Sequence, residues 1–192
     1  MKKKINVIDL DKTLLPYNSF TRFVLYFIRN WRLFFPILFL SFLRIIGLLS
    51  RSSFKKRFLL LIRKSLNYEK NLKDFSLMLY KDIKKNVMQF IQKNSDENTI
   101  NILCTSSPED YAIYLSKKIG WICLSSSLDN CSGFFNHLYG PNKITVLTQC
   151  FNPDLYFYNI AISDSKTDLN LLRLFDKAFI IKKNNLIELH KK

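Results

Sequence analysis

Three short apolar runs, far apart in the chain, each end abruptly in polar residues, and no other feature constrains the fold as much. The runs are residues 5–8, 100–104 and 160–163, and they are followed by Asp9, Thr105 and Asp164. Short runs with β-branched residues and polar ends are typical of buried parallel strands. In open α/β sheets the ligand site lies at the carboxyl ends of such strands. The pattern therefore predicts an α/β fold around a parallel sheet, although any single run can also end in an ordinary loop.

The composition is that of a folded protein without a disulfide framework. Its 192 residues, 48% of them hydrophobic, suffice for one α/β domain or for a core with a small insertion, and they exclude general disorder. The four cysteines form no CxxC pair, so neither a disulfide scaffold nor a zinc ribbon is expected, and a reducing compartment is the default. Further strands are predicted over 121–124 and 178–181, and helices over 108–118 and 168–174.

The stretch between the first two apolar runs has helical periodicity. Apolar residues recur there at helical spacing in three stripes, which are Phe20, Phe23, Val24, Phe27, Ile28 and Trp31, then Phe54, Phe58, Leu61, Ile62 and Leu66, then Leu72, Phe75, Leu79, Ile83, Val87 and Phe90. Asn18 or Ser19 is placed as the N-cap of the first stripe. We therefore predict a core formed by residues 1–16 and 95–192, with an all-helical, strongly apolar and basic cap, residues 17–94, inserted after the first strand.

Positive charge is concentrated in this insertion. The chain has 30 Lys and Arg against 15 Asp and Glu, a formal net charge of +15, and residues 12–68 contain 11 basic residues and no acidic one. Such a field attracts anionic lipid, nucleic acid or small anionic molecules. No recognised nucleic-acid-binding module is present, and the uninterrupted apolar run 34–39 does not suit a solvated groove, so we expect no nucleic-acid partner.

The most apolar part of the insertion is residues 33–49, which contain one charged residue, Arg44, together with Pro36 and Gly47. A straight helix of this length spans about 26 Å, short of the hydrocarbon thickness of about 30 Å. With basic residues on both sides, the segment suits an interfacial or re-entrant hairpin on an anionic membrane surface. We expect a peripheral or monotopic protein at the cytoplasmic side of the inner (cell) membrane; the alternative is a buried helical pair in a cytoplasmic protein.

The spacing of Asp9 and Asp11 indicates a metal-binding or catalytic site. Two carboxylates two positions apart, just past a strand, reach one site only if the chain leaves the strand there, and they repel each other unless a cation is present. Asp164 and Asp168 follow another predicted strand and supply further carboxylates. Hard oxygen ligands favour Mg²⁺ over zinc, so we predict a magnesium site. An isolated pair of carboxylates at this spacing can also be part of a solvated turn.

Together, four motifs resemble those of the haloacid dehalogenase-like phosphatase superfamily, in its phosphoserine-phosphatase-like branch. They are Asp9-Leu10-Asp11-Lys12-Thr13 (DxDxT), Thr105 after an apolar strand, Lys143 in residues 140–143, and the acids of Asp164-Ser165-Lys166-Thr167-Asp168. All four occur in the expected order at plausible spacing. The resemblance implies a Rossmann-like parallel sheet for the core and a Mg²⁺-dependent phosphomonoester hydrolase that acts through an aspartyl-phosphate.

The resemblance implies roles for the carboxylates. Asp9 would be the nucleophile, and Asp11 the general acid for the leaving alcohol and then the base for the hydrolytic water. Asp164 would bind Mg²⁺ together with Asp9 and the backbone carbonyl of Asp11. Two positions depart from the family pattern, because Lys12 and Ser163 stand where many members have glycine. Neither departure removes a reacting group.

The resemblance also implies roles for the residues that would bind the phosphoryl group. Thr105, Ser106 and neighbouring backbone N–H groups would hold the phosphoryl oxygens. Lys143 would neutralise charge on the phosphoryl group and on the nucleophile. Asp168 would orient the metal-bound waters or Lys143.

A narrower resemblance concerns the substrate. The helical insertion and short strings such as Thr105-Ser106-Ser107-Pro108 and Ser163-Asp164-Ser165 resemble the membrane-associated lipid phosphatases of the phosphatidylglycerophosphatase C type. This implies a lipid phosphate such as phosphatidylglycerophosphate as the substrate. The alternatives are a soluble phosphatase for a sugar phosphate or a phosphoserine-like small molecule, and a member that retains the fold alone.

Overall fold

The computed structural model describes residues 2–182 and 185–189, so residues 190–192 at the end of the predicted core lie outside the described residues. The strands and helices of the described part, in chain order, are β1 (Lys3–Ile8), α1 (Ser19–Ile28), α2 (Trp31–Ile45), α3 (Arg51–Ile62), α4 (Tyr68–Lys81), α5 (Lys85–Lys93), β2 (Thr99–Pro108), α6 (Glu109–Ile119), β3 (Ile122–Leu128), β4 (Phe135–Asn136), α7 (Pro141–Cys150), β5 (Tyr156–Ser163), α8 (Leu169–Leu172), β6 (Lys177–Lys182) and β7 (Asn185–Glu188).

These strands form one sheet in the order β4-β3-β2-β1-β5-β6-β7. The five strands from β3 to β6 pair in parallel, and β4 and β7 pair antiparallel at the two edges. The predicted α/β fold around a parallel sheet is confirmed. β1 lies at the centre, with β2 on one side and β5 on the other, so the strand order reverses there. A ligand crevice is expected at the carboxyl ends of strands flanking such a reversal.

Burial on both faces explains why the central strands have nearly continuous apolar sequences. On one face Ile8, Leu103 and Ile162 pack in a cluster that includes residues of α5 and α6. On the other face Val7 and Ile102 pack with residues of α7 and α8. A sheet covered on both sides holds its strand ends in fixed positions, and those ends carry the predicted site residues.

Five helices, α1 to α5, connect β1 to β2. Asn18 is the N-cap of α1, and its side chain accepts a hydrogen bond from the backbone N–H of Thr21 at 2.9 Å. The apolar stripes meet in an aromatic cluster in which the Phe23 ring lies 4.6 Å from that of Tyr111 in α6 and 4.9 Å from that of Phe75 in α4. Aromatic pairs of this kind each contribute about 0.5–1.5 kcal/mol, so they fix the helices over the sheet core.

The three predicted stripes extend past the helix ends. Trp31 of the first stripe lies in α2, Leu66 of the second follows α3, and the third stripe is divided between α4 and α5. The break lies at residues 82–84, where the backbone N–H of Lys84 donates to the carbonyl oxygen of Leu14 at 2.9 Å. This contact turns the chain back towards the end of β1. α7 and the edge strand β7 were not predicted from the sequence, and the predicted helix 168–174 extends beyond the observed α8.

One face of α2 is apolar and exposed. We call Trp31, Phe35, Leu38, Phe39, Phe42 and Ile45 the α2 apolar face, because at about 100° per residue they lie on one side of the helix. Trp31 is 77% exposed and Ile45 is 83% exposed, whereas Leu33 and Ile37 on the opposite side are buried. Within residues 2–182 and 185–189, no helix has both the length and the apolarity needed to cross a bilayer.

Candidate active site

A cavity of about 410 Å³ opens at the carboxyl ends of β1, β2 and β5. Asp9, Asp11, Lys143 and Asp164 all line it, although they are widely separated in the sequence. Residues of α1, α2 and α3 complete the wall opposite the sheet. The sheet topology therefore brings the acidic ends of two strands and one lysine to a single concave site.

Asp9 directly follows β1 and is paired with Lys143 of α7. The Lys143 ammonium donates to Asp9 Oδ1 and to Asp168 Oδ2, each at 2.8 Å, and all three side chains are largely buried. Asp168 Oδ2 also accepts a hydrogen bond from the hydroxyl of Ser163 at 2.7 Å. Lys143 is thus held between two carboxylates, and Asp168 fixes its position against Asp9.

Burial and charge act in opposite directions on this pair. Burial raises the pKa of Asp9 to about 7, against the lowering effect of Lys143. Burial disfavours the charged form of Lys143, but the negative charges of Asp9 and Asp168 outweigh that effect and raise its pKa above the usual value. Lys143 therefore remains an ammonium at neutral pH. A cation bound beside Asp9 would favour the ionised carboxylate that a nucleophile requires.

Asp164 faces the same cavity from the end of β5. Its backbone N–H donates to the Thr13 hydroxyl at 2.8 Å, and that hydroxyl lies 3.5 Å from Asp9 Oδ2. Burial raises the pKa of the Asp164 carboxyl, while Lys12 opposes the shift. Lys12 has a φ of 57°, a left-handed conformation that glycine adopts without steric cost. The departure at Lys12 thus places a lysine where the backbone favours glycine.

Asp11 is held by donors from both the helical segment and the core. Its Oδ1 accepts from the backbone N–H of Ser19 at 2.7 Å, and its Oδ2 accepts from the Asn18 amide and the Ser107 hydroxyl, each at 3.0 Å. The Ser19 hydroxyl in turn contacts the hydroxyls of Ser107 at 2.9 Å and of Tyr111 at 2.7 Å. A serine hydroxyl can donate to an ionised carboxylate or accept from a protonated one, so this network suits a group that changes protonation.

Thr105 and Ser106 occupy different positions at the end of β2. Ser106 lines the cavity. Thr105 is completely buried, is not among the residues that line the cavity, and accepts a hydrogen bond from the backbone N–H of Ser107 at 3.1 Å. Thr105 and Ser107 both lie within the last residues of β2, so this hydrogen bond holds the end of the strand, and Ser106 is the partly exposed member of the predicted pair.

Three cationic residues that the sequence did not place at the site lie in the part of the cavity wall formed by α2 and α3. Arg44 of α2 and Arg51 and Lys55 of α3 line the cavity. Lys55 is buried, and its ammonium donates to the carbonyl oxygen of Ser106 at 2.6 Å. The i, i+4 spacing of Arg51 and Lys55 was the signal that could have placed both on one helix face.

The residues around the cavity can supply part of the coordination shell of Mg²⁺. Mg²⁺ in proteins usually binds one or two carboxylates and retains several waters for substrate phosphates to replace. Asp9 and Asp164 supply two such carboxylates in one cavity. The Asp11 side chain is engaged by the donors described above, so its backbone carbonyl is the group that remains for a metal. Across residues 2–182 and 185–189, no set of three or more His, Cys, Asp or Glu side chains is grouped closely enough to hold a metal without other ligands.

Comparison with known proteins places this site in a family. The family model described as haloacid dehalogenase-like hydrolase matches residues 7–173, which include every predicted site residue. No curated protein matches the sequence. A solved protein with unknown function from Bordetella pertussis Tohama I is similar to this chain, with 14% identity, a TM-score of 0.73, and coverage of 93% of this chain and 89% of that one.

Two further solved structures are similar to this chain. A phosphoserine phosphohydrolase-like protein from Francisella tularensis subsp. tularensis SCHU S4 is 18% identical, with a TM-score of 0.57 and coverage of 95% of this chain and 88% of that one. A phosphoserine phosphatase, solved as a phospho-aspartyl intermediate analogue, is 14% identical, with a TM-score of 0.52 and coverage of 93% and 86%. At these identities the likeness shows a shared fold.

Proposed function

Because the chain belongs to the haloacid dehalogenase-like hydrolase family, we propose that it hydrolyses a phosphomonoester, with Asp9 as the nucleophile. The family match confirms the prediction of a hydrolase of this family. The observation that carries the proposed reaction is the position of Asp9, which lies at the end of β1 with its Oδ1 atom 2.8 Å from Lys143 Nζ, in a cavity shared with Asp11 and Asp164.

The reaction takes place in two displacements. An Asp9 carboxylate oxygen attacks phosphorus, the ester P–O bond breaks, and Asp11 gives its proton to the departing alkoxide. Asp11 then takes a proton from water as the water attacks the phosphorus of the aspartyl-phosphate, which releases phosphate and restores the Asp9 carboxylate. Lys143 keeps its proton and stabilises negative charge in both steps, positioned by Asp168. Ser106 and backbone N–H groups at the carboxyl end of β2 bind the phosphoryl oxygens.

We further propose Mg²⁺ as the cofactor, held by Asp9, Asp164 and the backbone carbonyl of Asp11. When bound, the ion would offset phosphoryl charge and help to align the two displacements. We also propose that residues 1–16 and 95–192 act as the catalytic core and residues 17–94 as a cap that closes over the substrate.

A small soluble phosphomonoester is the substrate class that the comparisons favour. Two of the similar structures are a phosphoserine phosphohydrolase-like protein and a phosphoserine phosphatase. The cavity of about 410 Å³ is also of a size suited to a small molecule. On this proposal the protein acts on a sugar phosphate or another small phosphomonoester, and it can do so in the cytoplasm.

A lipid phosphomonoester is a second candidate, and the α2 apolar face favours it. A row of exposed aromatic and aliphatic side chains beside a positively charged segment suits the interface of an anionic bilayer. Arg44, in the last turn of the same helix, lines the cavity. On this proposal the protein binds the cytoplasmic face of the cell membrane and acts on a lipid such as phosphatidylglycerophosphate.

The test is a phosphate-release screen with Mg²⁺ across soluble and lipid monoesters, with wild type beside Asp9→Asn. We expect wild-type turnover of at least one monoester and loss of about 10³-fold or more in the variant, because amide oxygen is a poor nucleophile. The control is Asp154→Asn, which changes an exposed carboxylate far along the chain and should retain full activity. Equal turnover by Asp9→Asn and wild type would refute the nucleophile assignment.

A further inference from the structure

The cavity wall formed by the helical segment is cationic and contains no carboxylate. Arg44, Arg51 and Lys55 lie on that wall, and the other residues of the segment that line the cavity are neutral. No salt bridge joins any of the three to a carboxylate within residues 2–182 and 185–189. By contrast, Lys143 on the core side forms salt bridges with two carboxylates.

Lys55 is the strongest sign that this wall binds something negative. Its residue is only 4% exposed, and its ammonium donates one hydrogen bond, to the Ser106 carbonyl, while lying 5.3 Å from the centre of the Phe20 ring. An ammonium has three N–H donors, so two are not used by this hydrogen bond, and the residue lines the cavity. A buried charge without an ionic partner is costly, and an anionic ligand would offset that cost.

The transferred phosphoryl group already has partners in the proposed reaction. It would lie against Asp9 and contact Lys143 and Ser106, with Mg²⁺ as a further partner when bound. Arg51 and Lys55 come from α3 of the helical segment and are additional to those partners, so they are available to a second group on the substrate. Since the spacing of Arg51 and Lys55 places them on one helix face, both can address the same group.

We propose that Arg44, Arg51 and Lys55 form an anion subsite, which selects substrates whose leaving alcohol carries a second negative group and no positive one. The inference rests on the proposed phosphomonoester hydrolase function and names its substrate class. A carboxylate or a phosphodiester has the required chemistry, so the group can come from a soluble metabolite or from a lipid headgroup. A zwitterionic substrate such as phosphoserine is disfavoured, because its ammonium would face three cations without a carboxylate partner.

The test compares 3-phosphoglycerate with two ligands that each differ from it by one group. O-phosphoserine has an ammonium in place of the hydroxyl, and glycerol 3-phosphate has a hydroxymethyl group in place of the carboxylate. Affinities are measured by calorimetry with Mg²⁺ on the Asp9→Asn protein, so that turnover does not interfere. We expect 3-phosphoglycerate to bind about tenfold more tightly than the other two, as for one charge-assisted contact. Adding Arg51→Gln should reduce this preference to less than about threefold, and the matched control Arg57→Gln, an exposed arginine outside the cavity, should not change it.

A lipid arm distinguishes the source of the second anion. Short-chain phosphatidylglycerophosphate, which has a monoester and a diester, is compared with short-chain phosphatidic acid, which has the monoester alone. The soluble pair is 3-phosphoglycerate and glycerol 3-phosphate, and the lipid pair is phosphatidylglycerophosphate and phosphatidic acid. A preference within either pair that Arg51→Gln removes supports the subsite, and the pair that shows the preference identifies the source. Equal affinities within both pairs overturn the inference, even where the wild-type protein hydrolyses these esters. Conversely, a preference without any turnover retains the subsite and rejects the proposed reaction.

Discussion

Lys143 and Asp168 form a buried salt bridge whose Nζ–Oδ2 distance is 2.8 Å, and the same ammonium contacts Asp9. Replacing Lys143 with methionine would leave two carboxylates buried without their shared cation. Removal of one partner from a buried ion pair costs about 3–5 kcal/mol, so we expect Lys143→Met to lower the free energy of unfolding by about that amount and to abolish turnover. Urea unfolding of the metal-free protein measures the first effect.

The control for this prediction is Lys166→Met, which removes an exposed lysine near the same loop and should change stability by less than about 0.5 kcal/mol. The double variant Lys143→Met with Asp168→Asn should recover part of the lost stability, because one of the two unpaired charges is removed with it. A loss below about 1 kcal/mol for Lys143→Met alone would show that the triad does not depend on the lysine.

Ser107 is predicted to position Asp11 for proton transfer, since its hydroxyl donates to Asp11 Oδ2 at 3.0 Å and also contacts Ser19. We expect Ser107→Ala to lower kcat/KM, which reports the first displacement, about tenfold for alkyl phosphates, because these need a protonated leaving group. p-Nitrophenyl phosphate has a leaving group that departs without a proton, so its kcat/KM should fall much less.

That difference between leaving groups separates positioning from general damage to the fold. Ser125→Ala, whose hydroxyl contacts Cys123, is the matched control and should leave both substrates unaffected. A parallel fall in kcat/KM for both substrates in Ser107→Ala would contradict the positioning role.

The sheet could be predicted from sequence because its central strands are buried on both faces. Val7 and Ile8 point to opposite layers, and this double burial produces the apolar runs that mark β1, β2 and β5. The acids at the ends of those runs were found for the same reason. α7 was missed, although it carries Lys143, because its apolar stripe is short and only Lys143 and Leu147 are buried along it.

The cationic wall could not be placed from sequence, because it depends on a long-range contact. Lys55 reaches the Ser106 carbonyl across 51 residues of chain, and the local sequence indicates only that it shares a helix face with Arg51. The same basic run is equally compatible with a solvated helix or a membrane flank. Only the packing of α3 over the sheet edge directs Arg51 and Lys55 into the cavity.

The α2 apolar face gives a prediction for membrane binding. We expect the protein to float with vesicles that contain anionic lipid, and we expect Phe35→Glu with Phe39→Glu to reduce the bound fraction at least tenfold, since charges replace aromatic rings at the interface. Charges at Leu38 and Leu40 should act in the same direction. Flotation at low ionic strength, with the fraction bound read from each layer, measures the effect.

The control for flotation is Leu77→Glu with Met78→Glu on α4, where both side chains are also exposed. These changes add the same charge away from α2, so a general loss of affinity through net charge would appear in them too. Equal flotation by the α2 variant and wild type would remove the membrane role of this face and leave the soluble substrate class.

Lys55 also predicts a pH dependence whose sign can be worked out. Burial disfavours the ammonium and lowers its pKa from 10.5 to about 8, an effect that Asp11 and Asp9 oppose and that Arg51 and Lys143 reinforce. Between about pH 8 and 10.5 the unfolded chain therefore binds more protons at this residue than the folded protein does. The contribution of Lys55 to the free energy of unfolding should therefore increase with pH over that window. The increase should be absent in Lys55→Met.

Ligand binding should change in the opposite direction over the same window. As pH rises through about 8, Lys55 loses its charge, so the affinity for 3-phosphoglycerate should fall relative to that for glycerol 3-phosphate. Calorimetry from pH 7 to 9.5, on protein with intact Lys55 and on Lys55→Met, measures both dependences because unfolding can be followed in the same buffers. If the two proteins show identical pH profiles for stability and for ligand preference, Lys55 does not titrate in the cavity, and the charge of the wall must then come from the two arginines alone.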